Sequence, residues 1–409
     1  MIINDPVHGF IDIPKGIITS LVKHPYFIRL NRIEQLGPTS YVYPGGRHTR
    51  FSHSIGTLHL IANALHTLKC KGVDITPQEE EGAKIAMLLH DTGHGPMSHS
   101  LEGSFVDGVS HEEISLLIME RLNHEFDGAL DIAISIFRDH YHKHFLHELI
   151  CSQLDMDRLD YLCRDSFFAG VREGNIGAER IIKMLNVKED RLVVESKGIY
   201  TIENYLMSRR LMYWQVYLHK TALAASEALA TAISRARQLA AQGVSLQAAD
   251  SLGYFLYNKV DRRFTETHPE FLDRFIMLDD NDVLSALKQW IGGQDKVLSI
   301  LSSNYINRNL YKARELPAPI PQDKLDTLRH QATLQLDIPQ DCAHYFVRPR
   351  EVSQMLYSTS DDHISIVMRD GSIRDISNFS ELLHSEMVDR RSERHYLFTH
   401  RDLYLDKSL

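Results

Sequence analysis

The sequence predicts a mainly α-helical protein with a little β-structure at its start and toward its end. Three observations lead there. Apolar residues recur at helical spacing through most of the first 312 residues, glycine and proline fall between those stretches, and strand-like alternation is confined to short segments. With 409 residues, 43% of them hydrophobic, the chain can bury a large core and form more than one lobe.

Residues 1–14 place Pro6, Gly9 and Pro14 among β-branched residues, the pattern of a small hairpin. From 20 to 34, the apolar spacing fits a helix interrupted near Pro25. Helical patterns follow over 55–68, 77–89, 111–122, 129–138 and 146–163. Residues 191–202 read as a β-hairpin turning at Lys197-Gly198. A long Ala-, Leu- and Arg-rich helix is expected over 204–241, ending near Gly243 and lacking a coiled-coil heptad, with further helices to about Lys312. Pro317, Pro319, Pro321 and Pro339 then mark loops, and 344–376 alternates like strands around an Asp370-Gly371 turn. The expected division is a helical catalytic domain over 1–243, a helical continuation over 244–316 and a smaller α+β lobe over 317–409.

The net charge of −9 argues against non-specific duplex binding, so nucleic acid is not an expected partner, while a local basic pocket stays compatible. Four cysteines (Cys70, Cys151, Cys163, Cys342) form no CxxC pair and support neither a disulfide framework nor a zinc finger. The N-terminus, MIINDPVHGF, lacks the basic-then-apolar pattern of a secretion signal. No apolar run approaches the roughly 20 residues that span a bilayer, so we expect a cytoplasmic protein without a membrane partner. Of 23 histidines, 15 precede residue 150, which places the chemistry in the first half.

The densest chemistry is the run His90-Asp91-Thr92-Gly93-His94-Gly95-Pro96-Met97-Ser98-His99, which follows an apolar helix end. If the helix continues, His90 and His94 share a face one turn apart, before Gly93, Gly95 and Pro96 break it. Upstream, 47–56 places His53 near a helix start. Downstream, 155–165 puts Asp157, Asp160 and Tyr161 on one helix, with Asp157 facing the same way as the other two. His53, His90, Asp91 and Asp157 then form a two-nitrogen, two-oxygen donor set. Such a set suits one divalent ion per subunit, whether Mn, Fe, Ni, Zn or Mg.

These residues resemble the H…HD…D signature of the HD-domain metal-dependent phosphohydrolases, whose fold is a helical bundle. Longer matches narrow the resemblance to the deoxynucleoside triphosphate triphosphohydrolase branch: NDPVHG (4–9), RLNRIEQLG (29–37), RHTRFSHSIG (47–56), LLHDTGHGPMSH (88–99), SHEE (110–113), DMDRLDYLCRDS (155–166) and YLMSRRLMYWQVYLHK (205–220). A weaker RNLYK (308–312) extends it to about residue 312.

The resemblance implies hydrolysis of a deoxynucleoside triphosphate to deoxynucleoside and tripolyphosphate. It makes His53, His90, Asp91 and Asp157 the metal ligands. His94, His99 and His111 would line the triphosphate as acids, bases or neutral donors, with Glu102 orienting His111. Arg50, Arg158, Tyr161 and Arg209 would hold phosphate oxygens, Gln35 and Asp165 the sugar 3′-hydroxyl. Tyr217 would stack under the sugar where a 2′-hydroxyl clashes. Family members form dimers and tetramers, so a homo-oligomer is implied. An allosteric nucleotide is half supported: Arg308 and Lys312 match positions that touch activator phosphates, whereas Lys23, Ile28 and Asn31 depart from the family's activator-binding pattern.

Plainer roles compete for some of these residues. Arg158 and Arg164 also suit ion pairs with Asp155 or Asp160, and for Arg164 that is the better reading. Asp160 reads as a structural partner, and Tyr217 suits the core nearly as well as a sugar platform. His140, His142, His144 and His147 share no face and read as loop histidines; His8, His48 and His59 read as structural. Two other functions stay open: another HD-type nucleotide phosphohydrolase (a 5′-nucleotidase or pyrophosphohydrolase), and a non-catalytic nucleotide sensor.

Overall fold

Four polar residues start the helices that build the site. Thr49 accepts the Ser52 N–H, Thr76 and Ser110 form capping boxes with Glu79 and Glu113, and Asp155 accepts the Arg158 N–H. The computed structural model describes residues 1–355, 357, 363–380 and 391–404. It is mainly α-helical with a few small sheets.

The N-terminal hairpin forms as expected, β1 (Ile2–Asp5) pairing antiparallel with β2 (Gly9–Asp12). α1 (Ile17–Lys23) and α2 (Pro25–Ile28) are separated at His24, as Pro25 requires. α3 (Arg50–Cys70) and α4 (Pro77–Leu89) pack together, and the end of α4, residues 85–89, is almost wholly buried. α5 (His111–Glu125) and α6 (Asp131–Phe137) follow.

The single helix expected over 146–163 is two, α7 (His144–Glu148) and α8 (Met156–Ala169). Asp155 causes the break, because its side chain also accepts the Ser152 N–H at 3.0 Å and so stabilises a turn before the second helix. α8 packs against α3, and α9 (Ala178–Met184) comes next.

The hairpin expected over 191–202 is displaced. β4 (Arg191–Glu195) pairs backward with β3 (Leu185–Lys188), and Ile199 already begins α10 (Ile199–Met212). The turn is Glu189-Asp190, both left-handed at φ 53° and 59°. This turn conformation is usually signalled by Asn or Gly, so the sequence pointed to Lys197-Gly198 instead. The helix expected over 204–241 is likewise divided. A π-turn over Tyr213–Tyr217 follows α10, and α11 (Lys220–Ala241) restarts behind an extended His219 that accepts the Thr221 N–H. Apolar and aromatic residues run through this break with no glycine or proline to mark it.

Beyond α11 come α12 (Asp250–Tyr257), α13 (Arg262–Thr267), α14 (Phe271–Phe275), α15 (Asp280–Trp290) and α16 (Lys296–Ile306), with α16 packed on both α11 and α15. β5 (Lys312–Leu316) and α17 (Gln322–Leu336) lead to β6 (Val347–Met355), β7 (Ser365–Val367), β8 (Ile373–Asp375) and β9 (Arg391–Thr399). The Asp370-Gly371 turn joins β7 to β8, with Gly371 at φ 85°. Positions 356 and 358–362 of the strand-like stretch lie outside the described residues. β9 is the central strand between β5 and β6, and β7 pairs parallel with β4, so late strands extend a sheet begun before α10. No helix among the described residues is long and apolar enough to cross a membrane.

Candidate metal centre and substrate cavity

His53 comes from the first turns of α3, His90 caps the end of α4, Asp91 follows it, and Asp157 lies in the first turn of α8. Ligand atoms of His53, His90 and Asp91 lie within 4.8 Å of one another. Asp157 Oδ1 is 2.9 Å from His53 Nε2 and 3.5 Å from His90 Nε2, which brings the fourth expected residue to the cluster. Each imidazole is fixed through its other nitrogen: His53 Nδ1 lies 2.7 Å from Asp160 Oδ2 and His90 Nδ1 2.6 Å from the Met87 carbonyl. With the proton on Nδ1, each Nε2 turns a lone pair into the cluster. Both Nε2 atoms are buried and lack a well-aligned hydrogen-bond partner. Converging unpaired donors beside two carboxylates fit a divalent cation.

The local electrostatics agree. Burial alone would lower the His53 pKa, but Asp157 and Asp160 override it and hold it up at about 10. Burial alone would raise the carboxyl of Asp91, yet His90 and Arg50 drive it well below the ordinary carboxylate range. The carboxylates of Asp157 and Asp160 that hold a proton on His53 would equally favour a cation in its place, since metal binding releases the ligand's proton.

The expected sharing of a helix face by His90 and His94 does not occur. α4 ends at Leu89, and a tight turn carries the chain to His94, whose Nε2 lies 3.4 Å from Asp91 Oδ1. Arg29, fully buried beneath this turn, donates to the carbonyls of Thr92, His94 and Leu278.

Asp160 is wholly buried. Its Oδ1 lies 2.6 Å from His8 Nε2, and it receives Arg164 Nε at 2.8 Å, while Arg164 also holds Asp5 at 2.7 Å. The ion-pair reading of Arg164 and the structural readings of Asp160 and His8 therefore hold.

A second cluster flanks the first. The His94 and His111 rings stack with centroids 3.8 Å apart and planes at 17°, and His99 stands edge-on to His94 at 4.9 Å. Glu102 reaches His111 Nδ1 at 2.6 Å and His99 Nδ1 at 2.8 Å. Burial, reinforced by Arg50, pushes His94 well below its ordinary pKa; for His111 burial opposes charge, but Glu102 overrides it and the pKa rises. A neutral imidazole thus lies against one biased toward imidazolium, a proton acceptor beside a donor.

Both clusters border a cavity of about 340 Å³. Its lining includes Asp91, Asp157, His94, His99 and His111 together with Gln35, Asp165, Tyr161, Tyr217, Arg50 and Arg158. The Arg50 guanidinium donates to Asp91 and to Ser98 Oγ, leaving a buried Nη2 with no partner. Gln35 Oε1 is also buried and unpartnered. Asp165 is held by His48 Nε2 and by the Tyr217 hydroxyl, each at 2.7 Å. Arg158 donates to the Ser152 carbonyl at 2.8 Å and pairs with Asp155, so its ion-pair reading is also realised.

Arg209 does not line this cavity; its Nη1 donates to Gln153 Oε1 at 2.8 Å. Glu102 stands behind the histidines rather than in the lining. Leu36, Glu112 and Tyr213 line it without having been singled out by sequence. Their signals were proximity to Gln35 and His111 and, for Tyr213, four-residue spacing from Tyr217. Of the four histidines expected in a loop, His144 and His147 lie instead in α7; His144 pairs with Asp139 at 2.6 Å and His147 with the Ile136 carbonyl, and no metal-type cluster among the described residues includes any of the four.

The helical bundle and its His/His-Asp/Asp centre define an HD-domain protein, and the HD domain family model matches residues 50–165. The HD associated region model matches 176–252. Over 99% of its length the chain is 30% identical to YwfO of Bacillus subtilis, covering 93% of that protein. It is 28% identical to human deoxynucleoside triphosphate triphosphohydrolase SAMHD1 over 54% of its length, spanning 42% of that enzyme. A crystal structure of a phosphohydrolase from Bacteroides thetaiotaomicron superposes with a TM-score of 0.95 at 51% identity, covering 98% of this chain and all of that one. The chain belongs to the HD-domain phosphohydrolase family.

Proposed function

We propose that the protein hydrolyses deoxynucleoside triphosphates to deoxynucleoside and tripolyphosphate. The observation that carries this reading is the buried, unpartnered Nη2 of Arg50, a residue that lines the same cavity as Asp91, Asp157, His94 and His111. A buried guanidinium nitrogen with no acceptor fits a phosphate oxygen.

His53, His90, Asp91 and Asp157 would hold one divalent ion, which supplies Lewis-acid polarisation of a phosphoryl oxygen and an activated water. Arg50, Arg158 and Tyr161 bind phosphate oxygens. Arg209, bonded to Gln153, joins them only through a different rotamer. Gln35 Oε1 and Asp165 accept from the sugar 3′-hydroxyl, and Tyr217, oriented by Asp165, lies where a 2′-hydroxyl would crowd it. Water oxygen adds to the α-phosphorus as the bond to O5′ breaks. His111 gives a proton to O5′, the water's surplus proton passes to the tripolyphosphate and solvent, and neutral His94 together with His99 hydrogen-bond the phosphate oxygens.

Incubating dNTPs with the protein and added divalent metals, followed by chromatography, tests this reading. Deoxynucleoside and tripolyphosphate should appear in equal amounts, with ribonucleotides reacting more slowly. Deoxynucleoside monophosphate with pyrophosphate would overturn the proposal in favour of a pyrophosphohydrolase. Inactivity with every dNTP, metal and nucleotide activator would favour a nucleotide sensor.

A further inference from the structure

Two segments of the cavity wall meet at an unusual joint. Met97 and Ser98, neither of them glycine, are both left-handed at φ 57° and 51°. Consecutive residues in this region are strained and persist only where neighbours hold them. The turn they make sends the chain back from His94 to His99 and Glu102. Ser98 Oγ donates to the Glu34 carbonyl at 2.7 Å and receives Arg50 Nε at 2.9 Å, so the turn is tied to the segment that ends in Gln35.

Beneath this joint lies Asp280, the first residue of α15, with 6% of its surface exposed. Its Oδ1 accepts the Met97 N–H at 2.6 Å and its Oδ2 the Glu34 N–H at 2.8 Å. No ion pair reaches it among the described residues: Arg32 is taken by Asp279, and Arg47 by Glu34 at 3.2 Å. One buried carboxylate therefore spends both oxygens on two backbone amides from segments more than sixty residues apart. A buried acid is costly even with the charge of buried Arg29 nearby, and an apolar residue filling the space would leave the Glu34 and Met97 amides without an acceptor.

We propose that Asp280 is a positioning residue for the hydrolytic reaction, clamping the 97–98 turn to the 34–35 segment so that His99 and Gln35 face one substrate. The inference rests on reading the cavity as the active site. It also reaches beyond the stretches matched by the two family models, because α15 lies outside both.

Asp280→Asn tests it with little change in size, because an amide has one acceptor and presents donors to the second N–H. Hydrogen exchange should quicken in a peptide spanning 95–102 and stay unchanged in one from the middle of α3. The value of kcat/KM should fall by about 10-fold or more, as small misplacements of reacting groups do. In a background that lacks both positioned groups, His99→Ala with Gln35→Ala, the same substitution should change kcat/KM less than about 2-fold. A residue that merely stabilises the fold would lower activity equally in both backgrounds, so equal losses overturn the proposal, as does unchanged exchange over 95–102. Should the wild type hydrolyse no dNTP, the functional reading fails and exchange alone decides the clamp. If Asp280→Asn does not fold, Ser98→Ala opens the joint from the other side, and unchanged exchange there is equally fatal.

Discussion

Asp160 Oδ2 lies 2.7 Å from His53 Nδ1, with both side chains wholly buried. Because Asp160 also holds His8 and Arg164, this contact joins the candidate metal centre to the N-terminal hairpin. The hairpin is distant in sequence from every ligand, yet it completes the network that sets which His53 nitrogen carries the proton. Carboxylates behind ligand histidines fix ring orientation and raise basicity, and losing them typically weakens metal binding about 10- to 100-fold.

Asp160→Asn should therefore lower metal affinity by about that factor, measured by elemental analysis and metal titration. Gly56→Ala should disturb the same carboxylate by crowding, since a Cβ there would fall 2.0 Å from Asp160 Oδ1. Unchanged affinity in both variants would make Asp160 a purely architectural acid.

Asp91→Ala should remove bound metal and turnover together while the helical signal in circular dichroism persists. His94→Ala and His111→Ala should instead keep the metal and lose rate, by about 10²- to 10⁴-fold, the usual cost of deleting a proton-transfer group. Near-normal turnover in both histidine variants would leave the stacked pair without a chemical role.

Much of this was legible in the sequence because local rules suffice for it. Thr76 with Glu79, and Ser110 with Glu113, announce helix starts, and α4 occupies the span its apolar period predicts. His53, His90, Asp91 and Asp157 were recognisable from motif spacing. Three features were not. Asp155 divides a helical pattern by capping, a competition that periodicity does not register. Glu189-Asp190 makes a left-handed turn from residues that rarely advertise one. Asp280 lies about 180 residues from the turn it holds, and nothing local distinguishes it from any acid in a helix's first turn.

Asp280 also predicts a pH dependence of stability. Burial is the main cause of its pKa rising to about 7, against an ordinary value near 3.8. Between those values the folded chain keeps a proton that the unfolded chain has released. This group's contribution to stability is therefore full below the unfolded pKa, falls as pH rises through the window, and levels off above about 7. Urea midpoints of wild type and Asp280→Asn, compared from about pH 5 to about pH 8, should diverge with that sign. A pH-independent difference would show that Asp280 is ionised throughout.

Gly93 lies against α5 at a distance that only glycine permits. A Cβ on Gly93 would fall 2.0 Å from the His111 carbonyl oxygen and 2.4 Å from the Ser115 nitrogen, both backbone atoms of α5. Gly93 N–H also donates to Ser115 Oγ at 2.8 Å, and Ser115 Oγ donates to the His90 carbonyl at 2.6 Å. Gly93→Ala must push the start of α5 away from the loop, at a cost of about 1–3 kcal/mol in overpacking. The displaced residue is His111, so the His94–His111 stack should open while His53, His90, Asp91 and Asp157 stay together. The variant should melt earlier, keep stoichiometric metal, and lose rate to the degree that His111→Ala does. Full turnover in a folded Gly93→Ala protein would mean that the close stacking of the two imidazoles is not what the chemistry requires.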